Sequence, residues 1–327
     1  MITAQDLHGV MGMMPAFATS DGWDIHTTST IDVEHLREGV DRIIGDGINV
    51  IATTGSFGEC HTLLFEEFVT LAHETVAAVK KRVPLFIGCT SPNSREVVRK
   101  MQAVREAGAD GVLVGMPYYF PSSVENVVQF YHDIAEMFPD LGVMIYHNPT
   151  LHHVTIPVEA FHKITQSPNV VGMKDGHRDT LQFMKLMEVI RGKISVFVNQ
   201  VQYYPYGRMG AAGCWSIDAW MGPWPFLALR DAVDRGDDEA AQKIIFDLSP
   251  NRGGGGGFDL RWRETAGKVA MAYAGYCQPG PLRPPFVNVP ESVDAGARKR
   301  AEAWNELCAR YRPLVEAARV ASLATAV

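Results

Sequence analysis

Eight apolar runs of strand length, most of them separated by amphipathic stretches, narrow the possible folds of this sequence more than any other feature. The runs begin near Val10, Gly47, Pro84, Asp110, Leu141, Asn169, Ile194 and Ala211. Between them lie the stretches 33–46, 65–81, 94–107, 124–137, 158–166 and 181–190, which carry helical periodicity. In 65–81, Phe68, Leu71, Ala72, Val76 and Val79 recur at three- and four-residue spacing and mark one apolar face. Asn93 or Ser94 caps the helix that follows it, and Asp179 or Thr180 does the same further on. Such βα alternation across residues 1–235 predicts an α/β fold, a closed (β/α)8 TIM barrel. A doubly wound open sheet is the alternative, but no GxGxxG fingerprint follows the first strand.

Residues 236–327 continue without strand signals and read as a C-terminal helical extension packed on the barrel. Helices are expected over 223–235, 237–248, 260–276 and 294–318. Five consecutive glycines at 253–257 interrupt them, too flexible for an element interior and without the GK[ST] of a phosphate loop. A Pro-rich connector, Pro279-Gly280-Pro281-Leu282-Arg283-Pro284-Pro285, precedes the last helix.

Composition removes several functional classes. A chain of 327 residues, 46% hydrophobic and 20% charged, can bury a large core. Its net charge of −7 offers no basic stripe for nucleic acid. No apolar stretch approaches the ~18–20 residues of a membrane span, and the first residues lack a signal pattern, so a cytoplasmic location is expected. The five cysteines, Cys60, Cys89, Cys214, Cys277 and Cys308, are odd in number and widely spaced. No pair has metal-site spacing, so they read as reduced thiols and no metal is expected. Cys89 and Cys214 fall in strand-like runs and are assigned to the core.

Chemistry in such a barrel gathers at the C-terminal ends of the strands. The sixth run, Asn169-Val170-Val171-Gly172-Met173, ends on Lys174 just before the polar turn Asp175-Gly176-His177-Arg178. Burial favours a neutral amine, and a neutral amine attacks ketones to form a Schiff base. The plain alternative is a lysine that snorkels out to pair with Asp175. The second run ends in Thr53-Thr54-Gly55-Ser56-Phe57-Gly58-Glu59, whose Gly55–Phe57 backbone and Ser56 hydroxyl suit a small carboxylate. The fourth ends in Met116-Pro117-Tyr118-Tyr119, the fifth in Tyr146-His147-Asn148-Pro149, and the eighth carries Cys214-Trp215-Ser216. Tyr146 and Ser56 are the expected proton relay for an imine on Lys174. The alternative for each tyrosine is a core residue with a satisfied hydroxyl.

Taken together, Ser56-Phe57-Gly58-Glu59, Tyr146-His147-Asn148-Pro149 and Gly172-Met173-Lys174-Asp175 resemble the signatures of the pyruvate-dependent class I aldolases, the dihydrodipicolinate synthase and N-acetylneuraminate lyase family. The likeness covers essentially the whole chain. It implies a barrel with C-terminal helices, a covalent lysine Schiff base with no further cofactor, and a homotetramer. Two departures argue against dihydrodipicolinate synthesis. Ser56-Phe57 replaces a Thr-Thr pair, and Leu151-His152-His153 stands where an arginine would hold a second carboxylate. The chain is more similar to the hydratase-aldolases that cleave arylidene pyruvates in polycyclic aromatic hydrocarbon degradation, on Ser56-Phe57-Gly58-Glu59-Cys60, Trp215-Ser216, Met221-Gly222-Pro223 and the Pro-rich connector.

What that resemblance implies is addition of water to an aryl-substituted 2-oxobut-3-enoate held on Lys174. Carbon–carbon cleavage to an aromatic aldehyde and pyruvate follows. Trp215 and Tyr119 are expected to wall the aryl pocket. Arg263 falls where relatives place an asparagine and would favour a carboxylated ring, unless it is simply a solvated helix residue. Two other classes stay open. A sugar-acid lyase or dehydratase would need polyol-binding side chains near strands six to eight, where Trp215, Trp220, Met221 and Trp224 are apolar. A non-catalytic keto-acid sensor would have little use for both Lys174 and Tyr146.

Overall fold

Eight parallel strands pair in chain order, and the first closes on the last. In this computed structural model residues 1–249 and 261–325 are described; the glycine run at 253–257 and the side chain of Arg263 lie outside the described residues. The strands are β1 Gly9–Met13, β2 Val50–Thr53, β3 Leu85–Gly88, β4 Gly111–Val114, β5 Gly142–Tyr146, β6 Val170–Lys174, β7 Ser195–Asn199 and β8 Gly213–Ser216. Helices α1 Val33–Asp46, α2 Phe65–Val79, α3 Ser94–Ala107 and α4 Val124–Met137 cross between the first five strands. Asn93 caps α3 through Glu96 N–H, and Asp179 caps the helix Thr180–Ile190 through Gln182 N–H.

The strands alternate between two apolar environments. Met11, Met13, Val50, Ala52, Phe86, Leu113, Met144 and Phe197 fill the barrel interior. Val10, Ile51, Ile87, Val112, Val143 and Ile145 face the helices instead. This two-residue period explains why the runs read as continuously apolar, because both faces are covered. Each fully buried large side chain, such as Phe17, Phe68, Phe86 or Trp304, contributes roughly 1.5–3 kcal/mol against exposure.

The connection from β5 to β6 departs from the expected single helix over 158–166. After a short α5, Pro149–His152, comes a 3-10 turn Val158–Ala160 and then α6, Phe161–Ile164. Pro157 and Pro168 bracket this stretch on either side. α7 Thr180–Ile190 and α8 Tyr203–Gly207 follow β6 and β7, α9 Trp224–Arg235 follows β8, and the tail consists of α10 Asp238–Leu248, α11 Arg263–Ala274 and α12 Glu291–Thr325. α12 packs along α9 and α11, and α9 reaches β1. Among the described residues no helix is long and apolar enough to cross a membrane.

Candidate active site

The C-terminal ends of β5 and β6 place Tyr146 and Lys174 side by side, as partners in the ladder. Lys174 is 6% exposed, with Nζ 4.1 Å from the Tyr146 ring centroid and 3.8 Å from that of Trp215. It does not snorkel outward. The carboxylate beside it, Asp175, is committed elsewhere: Oδ1 meets His147 Nδ1 at 3.1 Å and Oδ2 meets Arg178 Nε at 2.8 Å. That second contact is an ion pair without hydrogen-bond alignment. Since Ile156 N–H donates to His147 Nε2, the ring proton resides on Nδ1 and points at Asp175. Burial alone would raise the Asp175 carboxyl, yet the His147 hydrogen bond and the Arg178 guanidinium bring it down to about 2. The Asp175 carbonyl in turn accepts from Trp215 Nε1 at 3.0 Å and fixes the indole beneath the amine.

Tyr146 is nearly buried, and its hydroxyl has two partners. Ser56 Oγ lies 3.0 Å away and Asn148 Nδ2 donates at 3.2 Å. Burial pushes the phenol above its ordinary range, and these two hydrogen bonds oppose the shift. The phenol is therefore held as an acid with a hydroxyl neighbour able to pass a proton. Gly55, at the turn before Ser56, leaves the Tyr146 ring edge 3.9 Å from where a Cβ would stand.

Next to the amine lies a small recess of about 80 Å³, lined among others by Lys174, Asn199 and Trp215. A larger cavity of about 280 Å³ shares Tyr146 with it and runs outward past Ser56, Phe57, Tyr118, Leu151 and His152. Its outer wall comes from the C-terminal segment: Arg261, Glu264, Thr265, Lys268, Leu282 and Phe286. The tail thus supplies part of the site rather than merely packing on the barrel.

Tyr146 stands between Lys174 on one side and Ser56 on the other, Phe57 lines the larger cavity, and Gly55 lies behind the Tyr146 ring. Tyr119 departs from expectation: it is 75% exposed and packs edge-on to Phe120, while Tyr118 lines the cavity in its place. The two are adjacent in an irregular loop after β4, where no strand period fixes which one turns inward. Trp215 walls the recess at the amine rather than the larger cavity. Arg263 opens α11, but its side chain lies outside the described residues.

Several contributors escaped sequence reasoning. His152 lines the cavity with its ring 4.9 Å from that of Tyr146, edge-on. Burial, then the charge of Lys174, lowers its imidazole to about 4, so it is neutral near pH 7. Glu59 is buried and paired with Lys268 at 2.7 Å and Arg283 at 2.8 Å. Burial lowers the Lys268 ammonium to about 8, although the charge of Glu59 opposes the shift. A charged residue in the apolar stripe of a helix was the available signal for Lys268, and a histidine just past a strand end for His152.

Comparison with known proteins places this geometry. The trans-O-hydroxybenzylidenepyruvate hydratase-aldolase of Pseudomonas aeruginosa is 32% identical over 323 residues, 95% of this chain and 96% of that relative. The trans-2'-carboxybenzalpyruvate hydratase-aldolase of Nocardioides sp. (strain KP7) is 26% identical over 324 residues, again 95% and 96%. A solved structure of PhdJ bound to substrate intermediate superposes with a TM-score of 0.90 at 29% identity, covering 95% of this chain and 99% of that one. Residues 10–296 match the Dihydrodipicolinate synthetase family. The barrel, the buried lysine ending β6 and the match across most of its length lead to one assignment: the chain belongs to the dihydrodipicolinate synthetase family.

Proposed function

We propose that this chain is a lyase, a Schiff-base hydratase-aldolase that converts an arylidene pyruvate into an aromatic aldehyde and pyruvate. The observation that carries the reading is the buried Lys174 amine beside Tyr146, a residue that also lines a cavity flanked by Phe57, Tyr118, Leu151, Leu282 and Phe286. A pyruvyl group on Lys174 lies at Tyr146, on the side of Ser56, and an aryl ring extends into the larger cavity.

The chemistry follows from the groups present. The Lys174 amine adds to the substrate ketone and water leaves, giving an iminium conjugated to the alkene. Water attacks the benzylic carbon, its electrons pass through the alkene into the iminium, and the adjacent carbon takes a proton. The product is a β-hydroxy iminium. Removal of the hydroxyl proton through Tyr146 and Ser56 lets the carbon–carbon bond break, with the electron pair again drawn into the iminium. The aldehyde departs, the enamine is protonated, and water releases pyruvate and the amine. Ser56 and the backbone of Gly55 and Phe57 hold the carboxylate, Trp215 bounds the amine, and Arg263 selects the ring substituent. The iminium formed on Lys174 serves as the electron sink without a further cofactor. A homotetramer in the cytoplasm is the assembly and location that accompany this reading.

Borohydride reduction in the presence of pyruvate is the direct test. It should leave a stable pyruvyl mass on the peptide that carries Lys174, and none on the corresponding peptide of Lys174→Met. Label on a different lysine, or no label at all, refutes the mechanism.

A further inference from the structure

The turn that carries Ser56 is strained at both of its ends. Thr54 has φ 46° and Glu59 φ 55°, left-handed values that non-glycine residues rarely adopt. Such conformations persist only where the surroundings over-determine them, and they gather at functional sites. Each end has its own anchor. At the first, Thr54 Oγ1 donates to Gly88 O at 2.8 Å. A glycine is required in β3 for this approach, since a Cβ at Gly88 would stand 2.3 Å from Thr54 O.

At the second end the anchor is ionic and comes from the C-terminal segment. Glu59 Oε2 accepts from Lys268 Nζ at 2.7 Å and from Arg283 Nη1 at 2.8 Å. Lys268 also donates to Pro281 O at 2.7 Å. Arg283 spreads its fork over Ala16 O, Phe17 O and Thr30 O. All three charged residues are buried. A buried ion cluster of this kind often stabilises a fold no more than apolar packing of the same volume would, and in some proteins such groups specify geometry instead. Between the two anchors lies Ser56, its Oγ 3.0 Å from the Tyr146 hydroxyl.

We infer that Lys268 and Arg283 are positioning residues for the reaction: by clamping Glu59 they hold the strained turn in the conformation that sets Ser56 against Tyr146. The inference rests on the Lys174, Tyr146 and Ser56 reading above. It makes the tail of the chain a determinant of the proton relay, acting through Ser56 rather than through the reacting atoms.

A double-mutant cycle tests it. Wild type, Ser56→Ala, Lys268→Met and the double variant are compared for kcat and KM on an arylidene pyruvate, and for the rate of borohydride-trappable imine formation with pyruvate. Misplacing a group by about 1 Å can cost on the order of 100-fold. Lys268→Met should therefore lower kcat roughly 10- to 100-fold with KM little changed. The double variant should be no slower than the slower single variant, because Lys268 acts through Ser56. Lys268→Arg should recover most of the rate. Losses that multiply in the double variant, or a Lys268→Met protein with normal kcat, overturn the inference. If Lys268→Met does not fold by circular dichroism, Arg283→Lys keeps the charge but loses the fork to Phe17 and Thr30, and the same cycle applies. A wild type inert toward every arylidene pyruvate but still coupled in pyruvate trapping refutes the substrate assignment and supports the clamp.

Discussion

Protonating His152 should destabilise the fold between pH 7.5 and 5, by an amount the structure sets. The residue ends α5, its ring edge-on to Tyr146, and it fills the space over Gly115, where a Cβ would stand 2.1 Å from the imidazole. Burial and then the neighbouring Lys174 charge depress the imidazole from 6.5 to about 4, while a hydrogen bond to the Tyr146 backbone partly opposes them. The sign follows. The unfolded chain binds this proton near pH 6.5 and the folded chain only near 4, so stability present above pH 6.5 is lost as pH falls toward 4. With those two values the loss between pH 7.5 and pH 5 comes to about 2 kcal/mol. Urea denaturation of wild type and His152→Gln at the two pH values measures it. His61, which burial also lowers, and His35, which its hydrogen bond to Asp32 raises, titrate in both proteins and cancel in the difference. Wild type should lose about 2 kcal/mol more than the variant. Equal losses would show that the imidazole is not held neutral in the fold.

Two further outcomes concern turnover. Tyr146→Phe removes the hydroxyl shared by Ser56 and Asn148 and should lower kcat by ~10²–10⁴-fold with KM little altered; steady-state kinetics on an arylidene pyruvate decides it, and a near-normal kcat would make the phenol a packing group. Arg263→Ala should cost ~1.5–3 kcal/mol, roughly ten- to a hundredfold in kcat/KM, on a ring-carboxylated arylidene pyruvate and much less on a hydroxylated one. Equal losses on the two substrates would remove Arg263 as selector.

The barrel was legible because its signal is periodic and local. Each strand lies within a few residues of an apolar run, and α1, α3 and α4 begin and end where the amphipathic pattern does. Short elements carry no such period: α8 spans Tyr203–Gly207 with a proline inside it, and α5 is a single turn. The catalytic candidates were legible for a related reason. Lys174 and Tyr146 end strands, so the fold alone brings them to one mouth, whichever loops follow. Tyr118 and Tyr119 sit in a loop, and only the course of that loop distinguishes the one facing the cavity from the one exposed.

The ionic clamp was hidden by distance along the chain. Glu59 is 209 residues from Lys268 and 224 from Arg283, and no spacing rule links such positions. Half of it nevertheless leaves a mark. Thr265, Lys268 and Met271 follow one another at three-residue spacing on the buried face of α11, so the helix that carries the outer wall of the cavity commits a cation to its apolar stripe. Burying an unpaired ammonium costs several kcal/mol, so a lysine in that phase demands a carboxylate from another element. The carboxylate is Glu59, directly after Gly58 in a turn where side chain and backbone serve different ends: the carboxylate holds the tail while the left-handed backbone aims Ser56. Removing the tail's cation would therefore release the turn as well as the charge, which is why its loss should be read in the proton relay before it is read in the fold.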